Sequence, residues 1–322
     1  MDRKTPTIVA VALNPAFDRT LEVPSLEIGS HVRGRLLSVH PAGKAVNVAR
    51  LLGALGTECI LTGFVGEGDR DRFLRSFEKS PVRVEMFEAH GITRENVTLV
   101  DPERGAETHV RDVGFPLAPE DLERLKKKLG ILAAGGAYVV FAGSLTPGME
   151  AEDFAGLLAV CIEKDARVAV DSSGPGLEAV LRAGRLWLVK PNLEELSDLA
   201  GRPVAGDDDA IRATVGSILG HVDQTVVTRG PEGAMLFSRE GAWRARAEVD
   251  TEAVVNTVGS GDALLAGFVH SHAAGKGPAE CLRFGVACGT ASTLQLRAGL
   301  VNPDDVKACL EKVDLAAIDS AT

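Results

Sequence analysis

No apolar run in this chain approaches the roughly 18 residues that span a bilayer, and its first six residues are polar. A soluble cytoplasmic protein with no membrane partner is the expectation. Positive charge is in short supply too. The 35 Lys and Arg face 45 Asp and Glu, for a formal net charge of −10 and a pI near 5.3. No basic cluster is interleaved with aromatics, so nucleic acid is not expected as a partner. An acidic protein that handles anions must therefore focus positive charge locally. The five cysteines, Cys59, Cys161, Cys281, Cys288 and Cys309, contain no C-x-x-C pair. They read as buried thiols in a reducing compartment, which argues against a disulfide framework or a zinc site. The chain has no internal repeat and no low-complexity tract. It also has no Ser/His/Asp or His/Cys arrangement suited to nucleophilic or metal chemistry.

What is present suits one large α/β unit. Hydrophobic residues make up 45% of 322 and charged residues 25%, enough to bury a substantial core in a single domain. Residues 7–13 form a short apolar run ending at Asn14-Pro15, the pattern of a strand inside a sheet. Residues 20–39 are patchy and read as small strands away from the core. Apolar positions Val48, Leu51, Leu52 and Leu55 before Gly56 mark a helix. Further on, helical spacing at 122–132, 154–161 and 177–181 alternates with apolar runs at 137–142, 168–170 and 186–189. Short strands are expected at 234–237 and 243–247, and helices near 279–294 and 303–312. Such alternation implies right-handed βαβ units and a mostly parallel sheet covered on both faces, with ligands at the carboxyl ends of the strands.

The stretch that organises this chain chemically is 254–268, where Gly259-Ser260-Gly261-Asp262 stands ahead of the apolar run 263–268. The glycines permit close backbone approach, and free N–H groups at a helix start attract anions. Asp262 in or beside the first turn is expected to be held ionised by the positive end of the helix dipole, ready to accept a proton from an attacking hydroxyl. Capping residues and turn glycines give the same short pattern, so the reading depends on what accompanies it.

Four segments at strand ends accompany it: 143–148, Asp171-Ser172-Ser173, Lys190-Pro191-Asn192-Leu193-Glu194-Glu195, and Thr228-Arg229-Gly230-Pro231-Glu232-Gly233. Asn192 and Glu195 share one face of a helix start. They fit either a capping box or the organisation of a hydrated Mg²⁺, and the two are compatible. Nearer the amino terminus stand Asn14-Pro15-Ala16-Phe17-Asp18, Ala42-Gly43-Lys44-Ala45-Val46-Asn47, and Thr93-Arg94-Glu95-Asn96.

These motifs, in this order from about 8 to 306, resemble the PfkB group of ribokinase-like carbohydrate kinases. Within it the chain looks most like the 1-phosphofructokinase and tagatose-6-phosphate kinase branch. The resemblance implies a three-layer ribokinase-like α/β fold as a single domain, with a small β-sheet lid formed by about 20–39 and 95–111. It implies Asp262 as catalytic base, with Gly259, Ser260 and Gly261 as the anion hole. Asp18, Gly43, Lys44, Asn47 and Arg94 would bind the substrate, Arg94 and Lys44 holding its phosphate. Lys190, Asn192, Thr228, Gly230 and Gly233 would serve ATP, while Asn192 and Glu195 organise Mg²⁺ through water. Residues 285–291 resemble the helix that packs against the adenine. His109 and Arg111 are further anion candidates on the lid. Ala42 and Ala45 stand where relatives carry glycine, and a side chain that resists positive φ implies a shifted loop or a smaller pocket.

The function implied is ATP-dependent phosphorylation of a ketohexose monophosphate to a bisphosphate, fructose 1-phosphate being the first candidate. Tagatose 6-phosphate, fructose 6-phosphate, an unphosphorylated sugar and a nucleoside remain alternatives on the same fold, as does a non-catalytic sugar-phosphate sensor. A monovalent-cation requirement stays open, and a homodimer through the lid is expected.

Overall fold

The computed structural model describes residues 6–295, 297 and 299–318. It opens with β1 (Ile8–Ala12), which turns at Asn14-Pro15 into β2 (Ala16–Glu22) and β3 (Arg35–Ala42). Next come α1 (Lys44–Ala54), β4 (Cys59–Gly66), α2 (Arg70–Ser76), β5 (Val82–Ala89), β6 (Arg94–Asp101) and β7 (Ala106–Val110). The regular alternation then sets in: α3 (Pro119–Leu132), β8 (Tyr138–Ala142), α4 (Ala151–Ile162), β9 (Arg167–Asp171), α5 (Pro175–Arg182), β10 (Leu188–Val189), α6 (Leu193–Ala200), α7 (Asp208–Ile218) and β11 (Gln224–Thr228). The chain closes with β12 (Ala234–Ser238), β13 (Gly241–Ala247), α8 (Ser260–Ala273), α9 (Pro278–Thr293), α10 (Pro303–Glu311) and β14 (Val313–Ala317).

Ten strands form one sheet in the order β14-β13-β12-β11-β10-β9-β8-β1-β4-β5. From β11 to β5 every pairing is parallel, and the β11–β14 end is antiparallel. β1 lies inside the sheet, and its period-2 alternation divides the core. Ile8, Ala10 and Ala12 join the layer of α1, α8 and α9, whereas Val9, Val11 and Leu13 join the layer of α3, α4 and α7. Helices on both faces make this the mostly parallel three-layer α/β fold expected. A second sheet, ordered β3-β2-β6-β7, stands beside it; β2 pairs parallel with β6, and both outer pairings are antiparallel.

α8 is buried on every side, Asp262 to Val269 without a break. Its neighbour α9 comes close because a Cβ on Gly285 would lie 2.8 Å from Leu264 O and one on Gly267 would lie 2.7 Å from Cys288 Sγ. The small-residue run 285–291 is thus accounted for by helix packing.

Several elements differ from expectation. The strands of the second sheet start at Ala16 and leave 23–34 outside them, and β10 shrinks to two residues. α7 and β14 were not anticipated. β14 pairs on one side only, and Asp314 interrupts its short apolar segment. All five cysteines are free and buried. Among the described residues no helix is long and apolar enough to cross a membrane.

Candidate active site

α8 begins in the left-handed region: its N-cap Gly259 has φ 83°, which favours glycine. Gly261 is small for another reason, since a Cβ there would sit 3.2 Å from Lys190 Nζ. Asp262, in the first turn, is 5% exposed and accepts a hydrogen bond of 2.9 Å from Asn47 Nδ2. Asn47 comes from α1, whose N-cap Gly43 has φ 110° and lies against Pro15. Ala42 ends β3 opposite Ala16, and Ala45 is buried in the first turn of α1. Neither adopts positive φ.

Beside Asp262 lies a cluster centred on Asp171, the last residue of β9. Lys44 Nζ donates to its Oδ1 at 2.7 Å, and Lys190 Nζ is 3.0 Å from its Oδ2 without hydrogen-bond alignment. Glu195 Oε1 is 3.9 Å from Lys44 Nζ. Burial alone would raise Asp171, but Lys190 and Lys44 outweigh it and hold the carboxyl below its ordinary range. Burial works against the Lys44 ammonium, yet Asp171, with Glu195 and Asp262, raises its pKa overall.

Asp262 behaves in the opposite way. Burial and then the negative charge of Asp171 push it up to about 7, with Asn47, Lys44 and Lys190 only partly offsetting them. The expected full ionisation by the helix dipole is therefore corrected: desolvation and a neighbouring carboxylate prevail.

Asn192 and Glu195 form a reciprocal capping box at the start of α6, Glu195 N to Asn192 Oδ1 at 2.7 Å and Asn192 N to Glu195 Oε2 at 2.8 Å. Asn192 is bridged to Thr228 at the end of β11, which brings two of the candidate nucleotide segments together. Gly230 opens a single 3₁₀ turn, 230–232. Gly233 is glycine because a Cβ would run into Ala245 O on β13.

The sugar-side candidates divide into two groups. Asp18 accepts 2.9 Å from Asn96 Nδ2 across the β2–β6 pair. Arg94 donates to the carbonyls of Asn14 (2.7 Å), Asp112 (3.0 Å) and Pro15 (3.4 Å), tying the exit of β1 to the segment after β7. Five guanidinium N–H groups less these three bonds leave two for another partner. Lys44 shares no partner with Arg94 here; one donor of its amine is engaged by Asp171. His109 is exposed on β7, its Nδ1 3.1 Å from Thr98 Oγ1, and Arg111 is exposed beyond the strand.

Asp171 and Asn96 were not among the candidate residues. Asp171 was marked only as part of the Asp171-Ser172-Ser173 strand-end segment, with no role of its own. No group of three or more His, Cys, Asp or Glu side chains among the described residues could hold a metal ion.

A buried carboxyl at a glycine-led helix start, with two ammonium groups at the carboxyl edge of a parallel sheet, defines the class as small-molecule phosphotransferases. The chain belongs to the pfkB family of carbohydrate kinases, whose model matches residues 10–305. It is 33% identical over 314 residues to a 1-phosphofructokinase of Vibrio cholerae, covering 98% of each chain. Phosphofructokinase-2 of Escherichia coli in complex with potassium superposes with a TM-score of 0.89 at 28% identity, covering 95% of this chain and 98% of that one. The tetrameric inhibited form of the same protein gives 0.87 at 28% identity with the same coverage.

The raised Asp262 has a consequence for stability. A carboxyl whose pKa is higher folded than unfolded costs nothing while both states are protonated. The cost grows between about pH 4 and 7 as the unfolded chain alone ionises, and it is constant above. Asp262→Asn removes it. Urea unfolding should find the variant more stable than wild type by a margin that widens from pH 5 to pH 8, reaching on the order of a few kcal/mol. A margin that stays constant or narrows would contradict the environment described.

Proposed function

We propose that the protein is an ATP-dependent phosphosugar kinase acting on a ketohexose monophosphate to give a bisphosphate, with fructose 1-phosphate as first candidate. The observation that carries this reading is the juxtaposition of Asp262, Asn47 and the Lys44–Asp171–Lys190 cluster at the start of α8. The 1-phosphofructokinase relative supports the substrate. A second reading, fructose 6-phosphate, is favoured by the TM-score of 0.89 to phosphofructokinase-2.

In this mechanism the sugar lies between α8 and the second sheet, its hydroxyls on Asp18, the Gly43 backbone and Asn47. Arg94 offers its two remaining N–H groups to the non-reacting phosphate, and that binding energy positions the hydroxyl. Asp262 takes the hydroxyl proton as the oxygen attacks the γ-phosphorus and the bond to ADP breaks. With a pKa of about 7 it is ionised in a useful fraction near neutrality and remains a competent base. The amides of Gly259, Ser260 and Gly261 and the ammonium groups of Lys190 and Lys44 stabilise charge on the transferring oxygens. Thr228, Gly230 and Gly233 border the nucleotide beside Asn192.

Glu195 fits a hydrated Mg²⁺, because its Oε2 is engaged in the capping box while Oε1 faces the cluster. With Asn192 it would hold the ion through water; the ion supplies charge neutralisation on the phosphates. Potassium in the phosphofructokinase-2 complex is the reason for including a monovalent cation in this reading. The five buried free thiols support a reducing, cytoplasmic compartment.

We further read the chain as one domain with the second sheet as its lid and dimer surface. The cross-strand rows Leu36–Leu21–Leu99 and Val39–Arg19–Val97–Val110 share one face, since Val97 and Leu99 are two apart on β6. Leu36 and Val110 are 50% and 54% exposed. Such a face is a poor surface to leave in water and suits a second copy. Light scattering at micromolar concentration should return a dimer or a multiple of it; a fully active monomer would contradict this.

A coupled ADP-release assay tests the function, run with and without potassium over fructose 1-phosphate, fructose 6-phosphate, tagatose 6-phosphate and fructose. The expected result is use of a phosphorylated sugar at least about 10²-fold better than fructose in kcat/KM. Asp262→Asn should lower turnover at least about 10²-fold. Equal use of free and phosphorylated sugar would overturn the phosphosugar assignment, and near wild-type turnover in the variant would overturn the base.

A further inference from the structure

Behind α1, away from the Asp171 cluster, four segments enclose a cleft of about 280 Å³, near the lower end of metabolite-sized sites. They are the end of β3 (His40), the outer turns of α1 (Arg50), the end of α2 with the residues after it (Ser76, Lys79, Ser80), and the loop carrying Arg297. Arg50, Lys79 and Arg297 give this lining three positive charges, and among the described residues no carboxylate lines it. In a chain of net charge −10 that concentration is unusual.

None of the three cations forms an ion pair among the described residues. Arg50 is oriented by neutral groups instead. Its guanidinium donates to Pro41 O at 2.7 Å and Asn47 Oδ1 at 3.3 Å and lies 5.4 Å from the Phe77 ring centroid. His40 Nδ1 is buried on the same lining without a hydrogen-bond partner. Burial lowers Arg50 to about 10, with Arg297 adding repulsion and Asp18 partly opposing both. His40 is lowered by burial, Arg50 and Arg297, again against Asp18. Asp18, which acts on both Arg50 and His40, belongs to the sugar side.

We propose that this cleft is a binding site for the dianionic phosphate group of a small molecule, separate from the substrate site. A phosphate between Arg50, Arg297 and Lys79 relieves the repulsion among them, and the hydroxyls of Ser76 and Ser80 and His40 Nδ1, when protonated, supply further donors. The occupant would touch the same guanidinium that holds Asn47, itself bonded to Asp262. The site is therefore placed to report on, or act upon, the buried carboxyl.

Lys79→Ala/Arg297→Ala tests this, because both side chains are exposed and neither belongs to the proposed catalytic or substrate-binding set. Calorimetric titration of the full chain with inorganic phosphate, and separately with glycerol phosphate, is run at constant ionic strength for wild type and variant. Wild type should show a saturable site that weakens at least about tenfold in the variant, with kcat/KM in the absence of phosphate within about twofold of wild type. Binding of both probes assigns the site to phosphate monoesters, and binding of phosphate alone to the free ion. Unchanged binding in the variant, or none in wild type, overturns the proposal. So does a selective loss of kcat/KM for the phosphorylated sugar, because the cleft would then be part of the substrate site.

Discussion

A carboxylate buried between two ammonium groups fixes the polar edge of this sheet. Asp171 ends β9, Lys190 directly follows the neighbouring β10, and Lys44 opens α1 more than a hundred residues earlier, so one charge cluster joins three parts of the chain. Removing Asp171 leaves the buried Lys190 ammonium uncompensated, at a cost of roughly 3–5 kcal/mol. The cluster also reaches the start of α8: a Cβ on Gly261 would sit 3.2 Å from Lys190 Nζ, a tight contact. Asp262 then feels the charge of Asp171 across the gap and keeps its proton more tightly than a surface aspartate.

This arrangement reconciles an acidic protein with anionic ligands. Net charge of −10 repels phosphates at long range, but ammonium groups held by a shared carboxylate remain charged and fixed in place. Pre-positioned charge of this kind does not have to reorganise when negative charge migrates during transfer. The same economy of cations appears behind α1, where Arg50, Lys79 and Arg297 converge without any carboxylate between them.

The sequence made the fold legible wherever burial is two-sided. β1, β8 and β9 are continuous apolar runs because both faces are covered, and the helices between them keep their 3.6-residue period. α7 escaped although Ile211, Val215 and Leu219 recur at helical spacing and are buried in the core, and β14 escaped as a short edge strand interrupted by Asp314. Asn47 and Asp262 were both marked, yet their bond across 215 residues has no local signature. Asp171 stood in a marked strand-end segment, but its pairing with Lys44 and Lys190 lacks a local signature for the same reason. Lys44 and Arg94 were both marked, but the contacts of Lys44 with Asp171 and of Arg94 with the carbonyls of Asn14, Asp112 and Pro15 have no local signature either.

The central claim is that burial and the charge of Asp171 together hold the Asp262 carboxyl near neutrality. Carboxyl ¹³C NMR of the unliganded protein, with Asp262 assigned by comparison with Asp262→Asn, reads this directly. The account predicts a titration midpoint close to 7 in the wild type and a clearly lower one in Asp171→Asn, where that neighbouring charge is gone. A wild-type midpoint near the ordinary aspartate value of about 3.9, or one unmoved by Asp171→Asn, would contradict it.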